Sequence, residues 1–456
     1  MRVFFSNHST APINLGGAER SLLRLVEDWS VSRPDLEPVF LTKAPAGKFI
    51  ESLRRRGWPY HAFRFRGWAL PSPQPAPTSE RTAFAAVDYA AVGAMIALLE
   101  RERPDLVVTN TLVAPWAAFA AAVVGIPHAW FVREYGDLDH GLHFQMGRDA
   151  TFHDIGLLSG AVVTNSHAVA RHLAGSIDPA KITVAYPQID LDEVLASSLE
   201  PPKAEPFPQA DPGLRITVVG RVEDGKGQHR VVRALGELRR RGVTASVALV
   251  GAWKEPGYDL TLRRLARELG VEGNLTLLGE LENPFSVARA ADVCVTPSTI
   301  EAFGRSTLEY MAVGRPVVAS STGGSAELVE PGRTGALFDP DDIGALADAL
   351  QAYATAPELV DEHGRAARAR AVDIAAASSG NAAVIDRLEA LVGSDAYRLP
   401  EMARYWFALP SAYASMGATT PRMVLGLVWS RLRTRSGLVG RVLRRPGVAV
   451  SRLRRR

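Results

Sequence analysis

Two glutamates bracket the segment EAFGRSTLE, which runs from Glu301 to Glu309 and follows the apolar, strand-like run ADVCVTPS. We expect Glu301 in the loop after that strand and Glu309 roughly two turns into the next helix. The two carboxylates could then accept hydrogen bonds from different sugar hydroxyls. The residues between them could present backbone amides to a phosphate, namely Phe303, Gly304, Arg305 and Ser306.

A pair of acids is also compatible with glycoside hydrolysis, in which one carboxyl acts as nucleophile or base and the other as acid. The adjacent phosphate-binding turn favours recognition of a bound nucleotide sugar over hydrolysis.

A second group of charged residues follows another apolar strand pattern in the segment GRVEDGKG, where Gly220 precedes Arg221 and Lys226. Two cations at the carboxyl end of a strand could stabilise the charge that develops on a departing diphosphate, without a metal. A solvated turn with no ligand is the alternative for this segment.

Near the start of the chain, Gly16 and Gly17 stand where an apolar run ends and a helical pattern begins. Glycines there let a ligand approach the backbone, and the helix N-terminus attracts anions. An ordinary tight turn explains the same residues equally well.

The elements that position these residues repeat as apolar runs separated by helical patterns, over 456 residues. Such alternation predicts the α/β class, with two doubly wound, Rossmann-like parallel-sheet domains facing a cleft. The predicted units are a first domain (1–200), a proline-rich linker (201–212), a second domain (213–375), a helical segment packing back on the first domain (376–400) and an Arg-rich tail (401–456). Residues 71–79 are expected to form an exposed loop.

The cysteine content and the apolar segments of the chain exclude several kinds of site and limit the expected location of the protein. The single cysteine, Cys294, excludes an intrachain disulfide and a cysteine-based metal cage, and it suits a reducing cytosol. The first residues lack the apolar core of a signal peptide. The uncharged stretch 106–132 is long enough to span a bilayer, but its internal Pro, Gly and Asn residues predict a strand, a helix and a strand instead.

Taken together and in this order, the motifs NLGGAER, GRVEDGKG and EAFGRSTLEYMAVGRPVVASSTGGSAELVEPGRTGALF resemble those of the retaining GT-B glycosyltransferases of family four. The resemblance spans residues 1 to 395. It implies a hexosyltransferase-like enzyme that moves a sugar from a nucleotide diphosphate donor (UDP- or GDP-sugar) with retention, needing no metal and no cofactor.

The resemblance also assigns roles to residues. It implies that Arg221 and Lys226 hold the donor diphosphate, that Glu301 contacts the donor sugar and that Glu309 binds the ribose. Gly16 and Gly17 would close on the diphosphate from the first domain. Backbone contacts to the sugar, phosphate and nucleobase would come from residues 303–306 and from Gly279 and Glu280.

One departure concerns the first domain, where many relatives carry a histidine near the donor sugar. This chain has Arg133 and Glu134 in the corresponding stretch FVREYGDLDHG, with His140 further on. We expect packing or surface roles for His128, His140 and His143, since no acid pairs with them at a metal-ligand spacing.

The charge of the chain is unevenly distributed, because residues 402–456 hold twelve arginines and no acid. This tail could rest on an anionic membrane or stay solvated; nucleic acid is disfavoured because no reader motif accompanies the arginines. The predicted partners are a nucleotide sugar and a glycan, lipid-linked or small-molecule acceptor, in the cytoplasm or on the inner membrane face. A catalytically silent scaffold of the same fold and a GT-B phosphorylase are the alternatives.

Overall fold

The structure, a computed structural model, describes residues 1–11, 15–44, 47–70, 78–253, 256–377 and 381–408. It contains two parallel sheets, each with helices on both faces, so the predicted pair of Rossmann-like domains is confirmed. In chain order, the elements up to the second sheet are β1 (Arg2–Asn7), α1 (Gly17–Ser32), β2 (Glu37–Lys43), α2 (Lys48–Arg55), β3 (Tyr60–Phe63), β4 (Ala69–Leu70), α3 (Thr78–Glu102), β5 (Leu106–Thr109), α4 (Trp116–Val124), β6 (His128–Val132), α5 (Asp137–His140), β7 (His143–Phe144), α6 (Arg148–Leu158), β8 (Ala161–Thr164), α7 (His167–Leu173), β9 (Ile182–Val184) and α8 (Leu191–Ser198).

The second part of the chain continues the same alternation of strands and helices. Its elements are β10 (Leu214–Val219), α9 (Gln228–Arg240), β11 (Ala245–Val250), α10 (Tyr258–Glu268), β12 (Leu275–Gly279), α11 (Phe285–Ala290), β13 (Val293–Thr296), α12 (Arg305–Val313), β14 (Val317–Ser320), α13 (Ser325–Leu328), β15 (Gly335–Phe338), α14 (Ile343–Thr355), α15 (Glu358–Ala377), α16 (Ala382–Glu389) and α17 (Glu401–Ala408).

The strand orders place the site. The first sheet runs β3-β2-β1-β5-β6-β8-β9 and the second β12-β11-β10-β13-β14-β15. In each sheet the order reverses beside the first strand of the domain, between β1 and β5 and between β10 and β13. Ligands of doubly wound sheets bind outside the carboxyl ends of the strands at such a switch point. The loops after β1, β10 and β13 carry the three motifs identified in the sequence.

The strands form where apolar side chains can be buried on both faces, as in β5, β8 and β13, where every residue is buried. Short or half-exposed strands escaped the sequence analysis. Strand β15 lies within the segment PGRTGALFDPDD, and β14 and β15 pair through Val317 and Gly335. Strand β9 is partly exposed at the edge of the first sheet.

The crossing between the domains comes earlier than the predicted boundary at residue 200. Helix α8 packs on α11 and α12 of the second domain, where Val194 is buried in a cluster with Leu308 and Met311. Phe207, inside the proline-rich segment expected to be the linker, is buried against Val250. The segment 201–212 therefore lies on the second domain, and the crossing occupies residues 185–190.

The chain returns to the first domain near its end. Helix α16 contacts α1 and β8, and Leu388 is fully buried in the first core. Next to the crossing, the Asn381 side-chain amide donates to Gln188 Oε1 at 3.4 Å. Helix α17, the start of the Arg-rich tail, packs on α3 and α4, where Phe407 stacks on Tyr89 with ring centroids 4.9 Å apart. Residues 409–456 lie outside the described residues, as do residues 71–77 of the predicted loop.

The uncharged stretch 106–132 forms β5, α4 and β6, as predicted. One described helical stretch, Arg81–Glu102 in α3, is long and apolar enough to cross a bilayer by length and composition alone. Its residues Met95 and Leu99 are fully buried in a cluster with Phe4 and Val107. Packing within the first domain therefore accounts for the apolar character of this helix.

Candidate functional site

A cleft of about 540 Å³ lies between the carboxyl edges of the two sheets. Both domains contribute charged and backbone groups to its walls. Its lining includes Gly16, Gly17, Glu19, Asn110, Arg133, Glu134, Asp139, His140 and Asn165 from the first domain, and Arg221, Lys226, Glu301, Ala302, Phe303, Gly304 and Arg305 from the second. The structure thus brings together most of the residues singled out in the sequence.

An ion pair forms the floor of the cleft on the second domain. Lys226 Nζ lies 2.5 Å from Glu301 Oε1, which also accepts a hydrogen bond of 2.7 Å from the Ser298 hydroxyl. Burial alone would raise the pKa of Glu301, but the charge and hydrogen bond of Lys226, with help from Ser298 and Arg221, hold it below its usual range. Glu301 is therefore an ionised acceptor aimed at the cleft.

The loop that carries Lys226 is pressed against the loop that carries Glu301. Gly227 has φ +70, and a Cβ there would lie 2.0 Å from the Pro297 carbonyl oxygen, so only glycine fits. The Thr299 amide donates to the Gly225 carbonyl at 3.1 Å. This close approach places the ammonium and the carboxylate side by side.

Arg221 stands at the mouth of the same site. Its guanidinium lies 3.1 Å from Glu223 and its side chain is 46% exposed, while its carbonyl accepts a hydrogen bond of 2.8 Å from the Gln228 side chain. A smaller cavity of about 120 Å³ continues from the cleft between β10 and the start of α12, lined by Gly220, Lys226, Glu301, Gly304, Arg305 and Ser306 among others. A cation, a helix N-terminus and backbone amides surround a space suited to phosphate.

The start of α12 depends on two close backbone contacts. Gly304 caps the helix with φ +88, and a Cβ there would lie 2.2 Å from the Ser325 hydroxyl. Gly324 donates its amide to the Glu301 carbonyl at 2.7 Å, and a Cβ on Gly324 would meet the Ala302 carbonyl at 2.5 Å. The glycine pair of TGGSAE therefore supports the 301–304 loop from behind.

The position of Glu309 in α12 differs from the prediction. It is the fifth residue of α12, about one turn in rather than two, and its carboxylate pairs with Arg305 Nε at 3.2 Å. It lines neither of these two cavities, whereas Glu301 lines both. Burial raises the pKa of Glu309 against the opposing charges of Arg305 and Arg20. The two glutamates therefore do not share one hydroxyl-binding surface.

The first domain closes the cleft with the N-terminus of α1. A Cβ on Gly17 would lie 4.0 Å from Arg305 Cδ, so this glycine faces the second domain directly. Gly16 caps the helix with its backbone, and its carbonyl accepts from the Arg20 amide at 3.1 Å. The backbone here approaches any group held between the domains.

The first-domain wall of the cleft carries Arg133, Glu134 and His140, all from the stretch FVREYGDLDHG. His140 Nε2 lies 3.4 Å from Glu134. Burial, together with the neighbouring Asp139, raises the pKa of Glu134 to about 7, and burial lowers the pKa of Arg133 to about 10. The Arg133 Nε has no hydrogen-bond partner. This wall thus offers a cation and a titrating carboxyl to the cleft.

Several residues that line the cleft were not singled out in the sequence analysis. They are His8, Glu19, Asn110, Asp139 and Asn165, which come from the ends of separate strands or from the loops and helix starts that follow them. Asn165 follows β8 directly, so the end of a buried parallel strand was the one clue available.

The remaining predicted residues lie away from the cleft. Gly279 ends β12, two strands from β10, and Glu280 is exposed; neither lines the two cavities. His128 is buried between the Thr109 and Ser159 hydroxyls, and His143 sits in the two-stranded sheet β4–β7. Cys294 is buried in β13 and unpaired.

Comparison with known families accounts for both halves of the chain. Residues 15–193 match the model described as Glycosyltransferase Family 4, and residues 203–370 match that of Glycosyl transferases group 1. The chain belongs to glycosyltransferase family four.

Curated relatives of this family four chain include two proteins named D-inositol 3-phosphate glycosyltransferase. That of Mycolicibacterium smegmatis is 33% identical over 193 residues, 41% of this chain and 44% of the relative; that of Mycobacterium leprae is 34% identical over 197 residues, with the same coverage. The match thus spans less than half the length of these relatives.

Solved structures share the fold over a larger part of the family four chain. Anabaena Alr3699/HepE in complex with UDP superposes with a TM-score of 0.65 at 21% identity, over 86% of this chain and 100% of that one. A glycosyltransferase from Rickettsia africae gives 0.65 at 17% identity, over 86% and 99%. These likenesses establish the two-domain fold.

Proposed function

We propose that this protein is a retaining, metal-independent glycosyltransferase that moves a hexosyl group from a nucleotide diphosphate sugar to a hydroxyl of its acceptor. The observation that carries the proposal is the Lys226–Glu301 pair on the cleft floor, beside Arg221 and the N-terminus of α12. A cation, an anion and the backbone at the start of a helix meet within one cavity.

The charges of these residues suggest which part of the donor each of them would bind. Arg221, Lys226 and the amides at the start of α12 would hold the diphosphate and stabilise its charge as the bond to the sugar breaks. Glu301, kept ionised by Lys226, would accept hydrogen bonds from sugar hydroxyls. Arg221 and Lys226 would take the charge-stabilising role that a divalent ion has in other transferases, and metal independence is proposed on that ground.

Retention would follow from attack on the same face that the diphosphate leaves. The acceptor hydroxyl would approach from the first-domain wall near Arg133 and Glu134, and the departing phosphate oxygen would take its proton as the new bond forms. No carboxylate is then required as a nucleophile.

UDP is the donor nucleotide that we favour, because the solved neighbour Alr3699/HepE is described in complexes with UDP and with UDP-glucose. A GDP-sugar remains the second choice. For the acceptor we propose a glycan, a lipid-linked glycan or a small molecule in surface polysaccharide or glycolipid synthesis, with the enzyme in the cytoplasm and its Arg-rich tail on the inner membrane face.

Thermal unfolding in the presence of UDP, GDP and ADP tests the donor site. A nucleotide at a hundred times its dissociation constant should raise the free energy of unfolding by about 2.7 kcal/mol. We expect UDP to give the largest shift, unchanged by a chelator. Arg221→Ala should abolish the shift, and the exposed helix residue Arg233→Ala should not.

Two other functions share the fold and are separated by further measurements. A silent scaffold would bind UDP without turning over any UDP-sugar across an acceptor panel. A phosphorylase would release sugar only when inorganic phosphate is supplied. Absence of binding by all three nucleotides would overturn the proposal.

A further inference from the structure

A second cavity of about 220 Å³ lies beside the cleft, between α1, the carboxyl ends of β8 and β9 and the first turn of α12. It shares part of its wall with the cleft, including Arg133, Asn165 and Arg305. A molecule could therefore occupy this cavity and extend a group into the cleft.

The cavity is rich in positive charge. Four arginines line it, namely Arg20, Arg24, Arg133 and Arg305, against two acids, Asp190 and Glu193. Asp190 is already engaged as the N-cap of α8, where it accepts from the Glu193 amide at 2.9 Å. Arg24 pairs with Asp28 at 3.3 Å, and Arg305 with Glu309.

The other two arginines have no such partner. Neither Arg20 nor Arg133 forms an ion pair with any residue in the described part of the chain. Weaker electrostatic interactions join Arg133 to Glu19, and Arg20 to Glu309. Arg20 is exposed, whereas the Arg133 Nε is buried without a hydrogen bond. Asn165, only 7% exposed, donates to the Arg133 carbonyl at 2.9 Å, but its side-chain oxygen is also buried without a partner. The Arg133 Nε, a donor, and the Asn165 oxygen, an acceptor, are therefore the two buried unsatisfied groups, and they call for a ligand that supplies an anion and a hydroxyl.

We propose that this cavity binds the phosphate group of a polyhydroxylated acceptor. The arginines of α1 and Arg133 hold the acid, Asn165 accepts from a neighbouring hydroxyl, and the reacting hydroxyl reaches the cleft past Arg133 and Arg305. The inference rests on the proposed glycosyl transfer and names the charge class of its acceptor.

The cavity is tested by titration calorimetry on protein saturated with UDP. The probes are glucose 6-phosphate, glucose 1-phosphate and mannose 6-phosphate, each against its neutral hexose, with inorganic phosphate as a separate arm. We expect at least one hexose phosphate to bind tenfold or more tightly than its neutral counterpart and than inorganic phosphate. Substituting both α1 arginines, Arg20→Gln with Arg24→Gln, should weaken the binding of that probe by about tenfold or more, because charged hydrogen bonds to its phosphate are lost.

The control is Arg263→Gln, an exposed arginine of α10 that lines neither cavity and should leave all affinities unchanged. The UDP affinity of the double variant should equal that of the unaltered protein. A preference for the phosphorylated probe that survives the double substitution would overturn the inference, as would inorganic phosphate binding as tightly as every hexose phosphate. If the unaltered protein does not bind UDP, that result would instead count against the proposed function.

Discussion

The Tyr186 hydroxyl, in the crossing between the domains, donates to Glu327 Oε2 of the second domain at 3.0 Å. The same carboxylate oxygen accepts from the His167 amide at the start of α7, at 3.0 Å, and Arg171 lies 3.5 Å from the other oxygen. One side chain of α13 thus holds three groups of the opposite half of the molecule. Burial and the Glu327 charge raise the pKa of Tyr186 to about 12.

Replacing Glu327 tests how much these three contacts contribute to stability. Glu327→Ala should lower the free energy of unfolding by about 2 kcal/mol, since it strips a half-buried tyrosine and a helix N-terminus of their acceptor. Tyr186→Phe removes one of the three contacts and should cost about 1 kcal/mol. Urea denaturation of both variants measures the difference, and equal losses would show that the α7 contacts contribute nothing.

Lys226→Ala should reduce turnover of the donor by on the order of a hundredfold, the usual cost of one group that stabilises developing charge. It also leaves Glu301 ionised without its main partner, so the pKa of Glu301 should rise. Steady-state release of UDP from UDP-sugars measures the rate. Lys226→Arg keeps the charge and should retain more activity; a rate as low as that of the alanine variant would mean that the position of the ammonium decides.

Gly304→Ala should cost affinity for UDP, because the added methyl group meets the Ser325 hydroxyl and the left-handed backbone at φ +88 resists a side chain. We expect the dissociation constant for UDP to rise roughly tenfold, a loss of about 1.4 kcal/mol of binding free energy. Gly225→Ala is the matched control, as a Cβ there meets open space. Equal affinities for the two variants would contradict the role given to this turn.

Glu134 should make stability depend on pH. Its pKa of about 7 lies above the unfolded value near 4.5, so its contribution is fully present below pH 4.5 and is lost as the pH rises through 7. Glu134→Gln should therefore stabilise the protein at pH 8 by on the order of 2 kcal/mol, and change it little at pH 4.5. Asp139 and His140, which face the same carboxyl, remain in both proteins. Urea titrations at the two pH values supply the comparison, and a gain of equal size at both would contradict it.

Leu388→Ala tests whether the end of the chain belongs to the first domain. This fully buried side chain of α16 sits in the first core, and its truncation should cost about 3 kcal/mol. Val372→Ala on α15, where the side chain is 52% exposed, should change the stability by less than about 0.5 kcal/mol. Comparable losses in the two variants would place α16 outside the cooperative core.

The sequence analysis succeeded where one local pattern determines the structure. Apolar runs located β5 at the start of the stretch 106–132 and β13 within ADVCVTPS, and glycines followed by charged residues located the loops around Lys226 and Glu301. These signals are local because a buried parallel strand needs apolar residues on both faces and a phosphate loop needs bare backbone.

The misses have tertiary causes. The prolines of 201–212 suggested a linker, but the position of the crossing depends on where α8 finds a hydrophobic partner, in the cluster around Val194. Glu327 and Asn165 acquire their roles only when the two domains face each other. The orientation of Glu309 toward Arg305 depends on the exact start of α12 after Gly304, which a spacing of seven residues does not determine.

The chain passes between its two halves twice, at residues 185–190 and again just before α16, and the two passages touch through Gln188 and Asn381. Two domains joined by two adjacent segments can rotate about the line through those segments, but other relative rotations and translations are restricted. Any rotation of one half relative to the other would then be restricted to a single axis on this side of the molecule. A rotation of that kind would always return Gly17 to the same place opposite Arg305.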